Sequence, residues 1–184
     1  MSEAIAYTTF DEFLAGERTS ERRHEFVGGR IYAMSGGTER HDLMAVLISD
    51  ALAAGTKAKG CRRFVHNRLV NTRIGNAYYP DVMVACGSAP DEQYETDPTL
   101  IVEIQSPSTR GIDRREKATA YAMASTLRLL LLVDPNERRI EVAHPADGKI
   151  RDWAVFGPGD VVFTDYGVIH VDALCDELDA TATI

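Results

Sequence analysis

Two short apolar segments, 78–86 and 100–105, each carry one carboxylate, Asp81 and Glu103, and that pairing constrains the chain more than anything else in it. Both are strand-sized and rich in β-branched and aliphatic residues, so both read as central strands of a sheet. Alternate residues of a strand share a face. Asp81 therefore points with Met83 and Ala85, and Glu103 points with Ile101 and Gln105. A charge inside a buried sheet is costly unless it is paired or holds a cation. Taken singly, either carboxylate fits a sheet edge or a salt bridge. Two that converge from neighbouring strands form a hard-oxygen site suited to Mg²⁺ or Mn²⁺. Pro80 before Asp81, and Ser106-Pro107-Ser108-Thr109 after the second segment, put both carboxylates near strand ends.

The segments around this pair set the architecture. Thr9 followed by Glu12 has capping-box spacing and predicts a short helix that stops at Gly16. Strand-like runs on either side of Gly28-Gly29 predict a hairpin. From His41 the apolar period becomes helical through Leu43, Met44, Leu47, Ala51 and Leu52, with an end near Gly55 or Gly60. Residues 62–73 alternate loosely, and 90–98 read as a polar, acidic loop. Asp113 with Glu116 repeats the capping-box spacing, so a helix is expected from there to about Ser125. Strands at 127–134 and 139–143 are joined by an Asp134-Pro135-Asn136-Glu137 turn, and the tail shows short strands at 153–156, 161–163 and 169–174. The order predicts an α/β (α+β) fold with a central mixed sheet flanked by helices. One domain is expected over 1–184: an N-terminal helix and hairpin to 40, a core over 41–143, and a β-rich C-terminal extension.

Charge and cysteine usage narrow the setting. Lys+Arg number 20 against 28 Asp+Glu, for a net charge of −8, which argues against coating nucleic acid or membrane by bulk charge. The longest apolar run, 129–133, is strand-sized, so no membrane association is expected. The first residues lack the basic start and apolar stretch of a secretion signal, and the expected location is cytoplasmic. Three cysteines, far apart and without a CxxC pair, argue against a zinc site or a disulfide framework. Cys86 reads as a small buried hydrophobe.

The motif series resembles a known family. Tyr79-Pro80-Asp81-Val82, Val102-Glu103-Ile104-Gln105-Ser106-Pro107-Ser108-Thr109, Asp113-Arg114-Arg115-Glu116-Lys117 with Tyr121, and Leu132-Val133-Asp134-Pro135 follow in that order. Before them stand Phe13-Leu14, His24-Glu25-Phe26-Val27-Gly28-Gly29-Arg30, Met34-Ser35 and His41. Over nearly the whole chain this is similar to a bacterial family of restriction-endonuclease-like proteins in the PD-(D/E)XK nuclease superfamily. The resemblance implies a PD-(D/E)XK core and Mg²⁺-dependent (or Mn²⁺-dependent) hydrolysis of phosphodiester bonds, with DNA favoured over RNA as partner. It implies Asp81, Glu103 and the backbone carbonyl of Ile104 as metal ligands. Gln105 stands where the superfamily most often has lysine, and the resemblance moves that lysine to Lys117 on the following helix. Gln105 then orients the attacking water through its amide.

The resemblance also brings His41 near the metal site as a general base or phosphate contact, although a histidine at a helix start is equally a surface residue. Glu25 is expected as an outer metal ligand or as the partner of an arginine such as Arg30. Tyr121, one turn beyond Lys117, orients the lysine, touches substrate or packs against the sheet. His24, His66, His144 and His170 show no partner pattern. Arg62, Arg63, Arg68 and Arg73, and Arg110, Arg114 and Arg115, are grouped as phosphate contacts would be, or as neutralisers of the acidic excess. Two rivals stand beside the nuclease reading. One is a binding module that has lost cleavage, motivated by Gln105; the other is a hydrolase of a small phosphorylated compound, which suits the acidic balance. The strands of the tail are the expected contact of a homodimer.

Overall fold

The computed structural model describes residues 8–34, 36–89, 91–106 and 110–181, so the Pro107-Ser108-Thr109 part of the motif series lies outside the described residues. Helix α1 (Phe10–Glu17) has its capping box: the Thr9 hydroxyl accepts from the Glu12 N–H, and the Glu12 carboxylate accepts from the Thr9 N–H. It runs one residue past the expected stop at Gly16. Strands β1 (His24–Val27) and β2 (Arg30–Ala33) pair antiparallel around Gly28 and Gly29, whose φ values of 56° and 79° are the left-handed pair a type I′ turn requires. Helix α2 (Glu39–Ala51) starts two residues before His41, because Thr38 caps it by accepting from the His41 N–H. Helix α3 (Ala53–Ala58) follows directly.

Both long strand-like segments break, and each break changes sheets. Residues 62–73 become β3 (Arg62–Val65) and β4 (Leu69–Asn71), while 77–86 become β5 (Ala77–Tyr78) and β6 (Val82–Ala85). With β7 (Tyr94–Glu95), inside the expected acidic loop, and β8 (Pro98–Ile104), they complete two sheets. One has the order β2-β1-β5-β4-β7. The other adds β9 (Leu129–Asp134), β10 (Arg139–Ala143) and β11 (Ala154–Phe156) in the order β11-β10-β9-β8-β6-β3. In the latter sheet only β8 and β9 run parallel. The chain thus turns two adjacent corners, at 66–68 and at 79–81, and the antiparallel register Val65↔Val82 sets them side by side.

Both faces of the six-stranded sheet are covered, which is why its strands are apolar throughout. Val82, Val84, Leu100, Val102, Ile104, Leu131 and Val133 pack with Met44 and Ile48 of α2 and with Leu52 just after it. Met83, Ile101 and Leu130 pack on the opposite face with Ala118 and Tyr121. That opposite helix is continuous but uneven: α4 (Arg110–Ile112), a π-helical turn over Asp113–Lys117, and α5 (Ala118–Ala122). Asp113 is therefore not the expected helix cap. It lies inside the helix and is buried, because the helix has already begun at Arg110.

The expected β-rich extension is half right. After β12 (Val161–Phe163) and β13 (Val168–His170), the expected strand at 169–174 gives way to helix α6 (Val171–Thr181). Val171, Leu174, Cys175 and Leu178 are spaced i, i+3, i+4, i+7, and burying all four needs a helix, not a strand. The cysteine reading is also corrected. The register Arg62↔Ala85 puts Cys61 beside Cys86 with Cα atoms 4.3 Å apart, and the two form a disulfide; Cys175 is free and buried. No described helix is long and apolar enough to cross a membrane.

Gly55 is the tightest close approach of backbone to helix. A Cβ there would lie 2.0 Å from the Tyr166 carbonyl oxygen, and backbone cannot swing aside as a side-chain tip can. Gly55→Ala is expected to lower the unfolding free energy by about 3 kcal/mol, read from urea denaturation. A loss below about 1 kcal/mol would mean that the 166–167 turn moves freely off the helix.

Candidate active site

The expected residues fall into two groups: Asp81 with His41 and with His66, and Glu103 with Lys117, Glu25 and Tyr121, while Gln105 directly follows the strand that carries Glu103. Asp81 is the pivot. It follows Pro80 at the β5-to-β6 corner and is buried. Its Oδ2 accepts from the Ile104 N–H at 2.6 Å and lies 3.3 Å from His41 Nε2, while Oδ1 lies 3.2 Å from His66 Nδ1. Burial alone would push the carboxyl up; the hydrogen bonds from His41 and His66, the charge of His41 and the Ile104 N–H outweigh it and bring it down to about 2. His41 moves the opposite way, held above the ordinary histidine range by its hydrogen bond to Asp81 despite partial burial.

Glu103 faces the helix on the opposite side of the sheet from α2. Tyr121 Oη donates to its Oε1 at 2.6 Å, and Lys117 Nζ lies 3.7 Å from its Oε2. The same ammonium is 2.8 Å from Glu25 Oε1 on β1 and 3.6 Å from Asp113 Oδ1, so three carboxylates surround one buried cation. Burial works against charge on Lys117, but Glu103, Glu25 and Asp113 outweigh it and hold its pKa above that of an ordinary lysine. Burial pushes the Glu103 carboxyl well up, with Lys117 pulling the other way. The π turn brings Asp113 and Lys117 onto one side of the helix. Such turns recur at functional sites because they re-aim side chains out of the regular spiral.

The other expectations divide as follows. Tyr121 grips Glu103 rather than Lys117, with its ring edge-on to Tyr78 at 5.6 Å. Glu25 takes Lys117 as its partner. Gln105 is buried, its N–H donates to the Val133 carbonyl, and neither amide atom of its side chain has a hydrogen-bond partner among the described residues. Unpartnered buried amides are rare in folded proteins and call for a physical account. Five of the seven grouped arginines are engaged within the protein: Arg62 and Arg68 hold buried Glu95, Arg110 holds Asp134, Arg114 holds Glu141, and Arg63 donates to the Ser49 carbonyl, while Arg73 and Arg115 are exposed. Arg62, Arg68, Arg110 and Arg114 neutralise buried acids, which is the second of the two readings, whereas Arg73 and Arg115 stay at the surface.

His66 is the residue that sequence reasoning misses. Nothing in its neighbours marks it; the signal is positional, since in an antiparallel pair of β3 with β6 it falls opposite Asp81. Its own N–H donates to the Asp81 carbonyl at 3.0 Å.

A family model described as "Putative restriction endonuclease" matches residues 10–165. The chain belongs to this family, Uma2. The Uma2 match spans both sheets, both corners and the helix that carries Lys117. Among curated relatives, the uncharacterized protein slr1290 of Synechocystis sp. (strain PCC 6803) is 33% identical over 150 residues, covering 79% of this chain and 77% of that protein. A second from the same organism, sll1609, is 28% identical over 138 residues, covering 72% and 78%. In the fold, this Uma2 chain matches a crystal structure from Anabaena variabilis titled "a putative nuclease belonging to DUF820". The TM-score is 0.77 at 20% identity, over 92% of this chain and 98% of that one. The fold is thus the restriction-endonuclease-like mixed α/β fold.

Proposed function

We propose that the chain is a divalent-metal-dependent endonuclease that hydrolyses phosphodiester bonds in nucleic acid, DNA in preference to RNA. The observation that carries this reading is the buried ammonium of Lys117, 3.7 Å from Glu103 on the strand whose Ile104 N–H holds Asp81. A structural ion pair does not require a second carboxylate at the same strand end, nor a buried Gln105 amide with no partner beside it. The family's description supports the same chemistry.

The donor set fits a dication: two buried carboxylates, and an amide in want of a partner. Asp81, Glu103 and the Ile104 carbonyl would hold Mg²⁺ or Mn²⁺, with Glu25 an outer partner engaged by Lys117. When bound, the ion supplies Lewis acidity toward the phosphate and the attacking water. Lys117 places positive charge where negative charge develops on the phosphoryl oxygens. Tyr121 fixes the Glu103 rotamer, Gln105 orients the water, and His41 contacts the phosphate. The whole chain acts as one functional unit in the cytoplasm. Exposed Phe163 and Val168 on the β12–β13 hairpin supply an apolar contact for a homodimer.

Cleavage of supercoiled plasmid, single-stranded DNA and RNA with Mg²⁺ or Mn²⁺ tests the reading. Nicking that disappears with chelator and with Asp81→Ala is the expected result. An Asp81→Ala chain that cleaves as fast as wild type would remove the site. The arginines taken up by buried acids (Arg62, Arg68, Arg110 and Arg114) favour one rival. Metal-dependent hydrolysis of a small phosphorylated compound, with no cut in any nucleic acid, would replace the endonuclease by that reading.

A further inference from the structure

We propose that His41, His66 and Asp81 form a site for a borderline d-block dication such as Mn²⁺, Co²⁺ or Zn²⁺, held without Glu103. This rests on reading Asp81 as a metal ligand and names the class of metal. One ligand atom from each residue lies within 4.8 Å of the other two. Ligands about 2.1 Å from a common ion stand roughly 3–4 Å apart, so the three atoms need to draw together by about 1 Å to close on an ion.

Three further features point to a built site. The two rings stack at 5.6 Å with 24° between their planes, presenting one nitrogen each to the same carboxylate. Their far nitrogens share a second carboxylate: Asp42 Oδ1 is 3.5 Å from His41 Nδ1 and 3.6 Å from His66 Nε2. Neither far nitrogen is hydrogen-bonded among the described residues, and a small approach of Asp42 would supply the outer carboxylate that orients a metal-bound histidine. Finally, His66 adopts a left-handed backbone, φ 54°, which glycine or asparagine would accept at lower cost. Such strain persists where a particular side chain must be aimed. Two imidazoles and one carboxylate select borderline d-block ions, whereas Mg²⁺ prefers oxygen and water.

The test is titration of the chelator-stripped full chain with CoCl₂, followed by visible absorption, in the absence of nucleic acid. One saturable equivalent is expected, resistant to a roughly hundredfold excess of Mg²⁺. His66→Gln and His41→Gln should each weaken binding at least about tenfold, and Asp42→Asn by about tenfold. His144→Gln, an exposed histidine outside both groups, should leave it unchanged. Asp42 is exposed, so its variant reports on the site even if a histidine variant fails to fold. Absence of saturable binding, equal displacement by Mg²⁺, or wild-type affinity in both His66→Gln and Asp42→Asn would overturn the proposal. Cleavage with Mg²⁺ but no Co²⁺ binding sinks this inference alone; Co²⁺ binding without cleavage leaves it standing and removes the nuclease reading.

Discussion

Lys117→Met is expected to abolish cleavage and to destabilise the chain by about 3 kcal/mol, the low end of what removing one partner of a buried ionic cluster does. Methionine fills much of the same space but leaves Glu25, Glu103 and Asp113 facing one another without the ammonium that neutralises them. The chain can relieve part of this by keeping Glu103 protonated, since burial already raises that carboxyl. The sign of the pH dependence follows. A carboxyl whose folded pKa lies above its unfolded value favours the folded state at low pH and loses that contribution as pH rises. The stability defect of Lys117→Met should therefore be larger at pH 8 than at pH 5. Urea denaturation of both proteins at the two pH values measures it. A defect independent of pH would mean that the three carboxylates are not coupled through Lys117.

Glu103→Gln is the second large effect, and it separates chemistry from folding. The amide keeps the size of the side chain and can still accept from Tyr121 Oη. It removes one of the three carboxylates that share Lys117, so the cluster loses charge without losing its cation. Stability should change by less than about 1.5 kcal/mol, the scale of one hydrogen-bonded contact. Cleavage should fall about a thousandfold, equivalent to roughly 4 kcal/mol of transition-state stabilisation. Rates on supercoiled plasmid beside a thermal melt give both readings. Retained cleavage would assign Glu103 a purely structural role in holding Lys117.

Much of the fold is legible in the chain's own chemistry. Capping residues mark α1, the Gly28-Gly29 pair marks the first hairpin, and the apolar runs 100–105 and 127–134 are central strands as their composition predicts. The corners are not legible. Within 77–86 the residues on either side of Pro80-Asp81 suit a strand; Pro80, with no N–H for the ladder, permits a break there, and competition between two sheets for β5 and β6 makes it a change of sheet. The same competition ends β3 at His66. The tail helix is hidden because Val168 to Val171 is β-branched or strand-like, while the i, i+3, i+4, i+7 spacing from Val171 serves α6 only once α2 is there to pack against. The Cys61–Cys86 bond depends on the β3–β6 register, which spacing cannot supply.

By itself the sequence determined which groups had to be dealt with. A carboxylate in each of two apolar strands, and a lysine followed one turn later by a tyrosine, must be paired or functional, because burial makes an isolated charge too costly. Tertiary structure alone decided how they are shared. It gave Glu103 to Lys117 and Tyr121, and it gave Asp81 to His41 and His66. The physical reason is that alternation along a strand fixes the face of a side chain, whereas its partner depends on which strand end or helix turn the register sets opposite it.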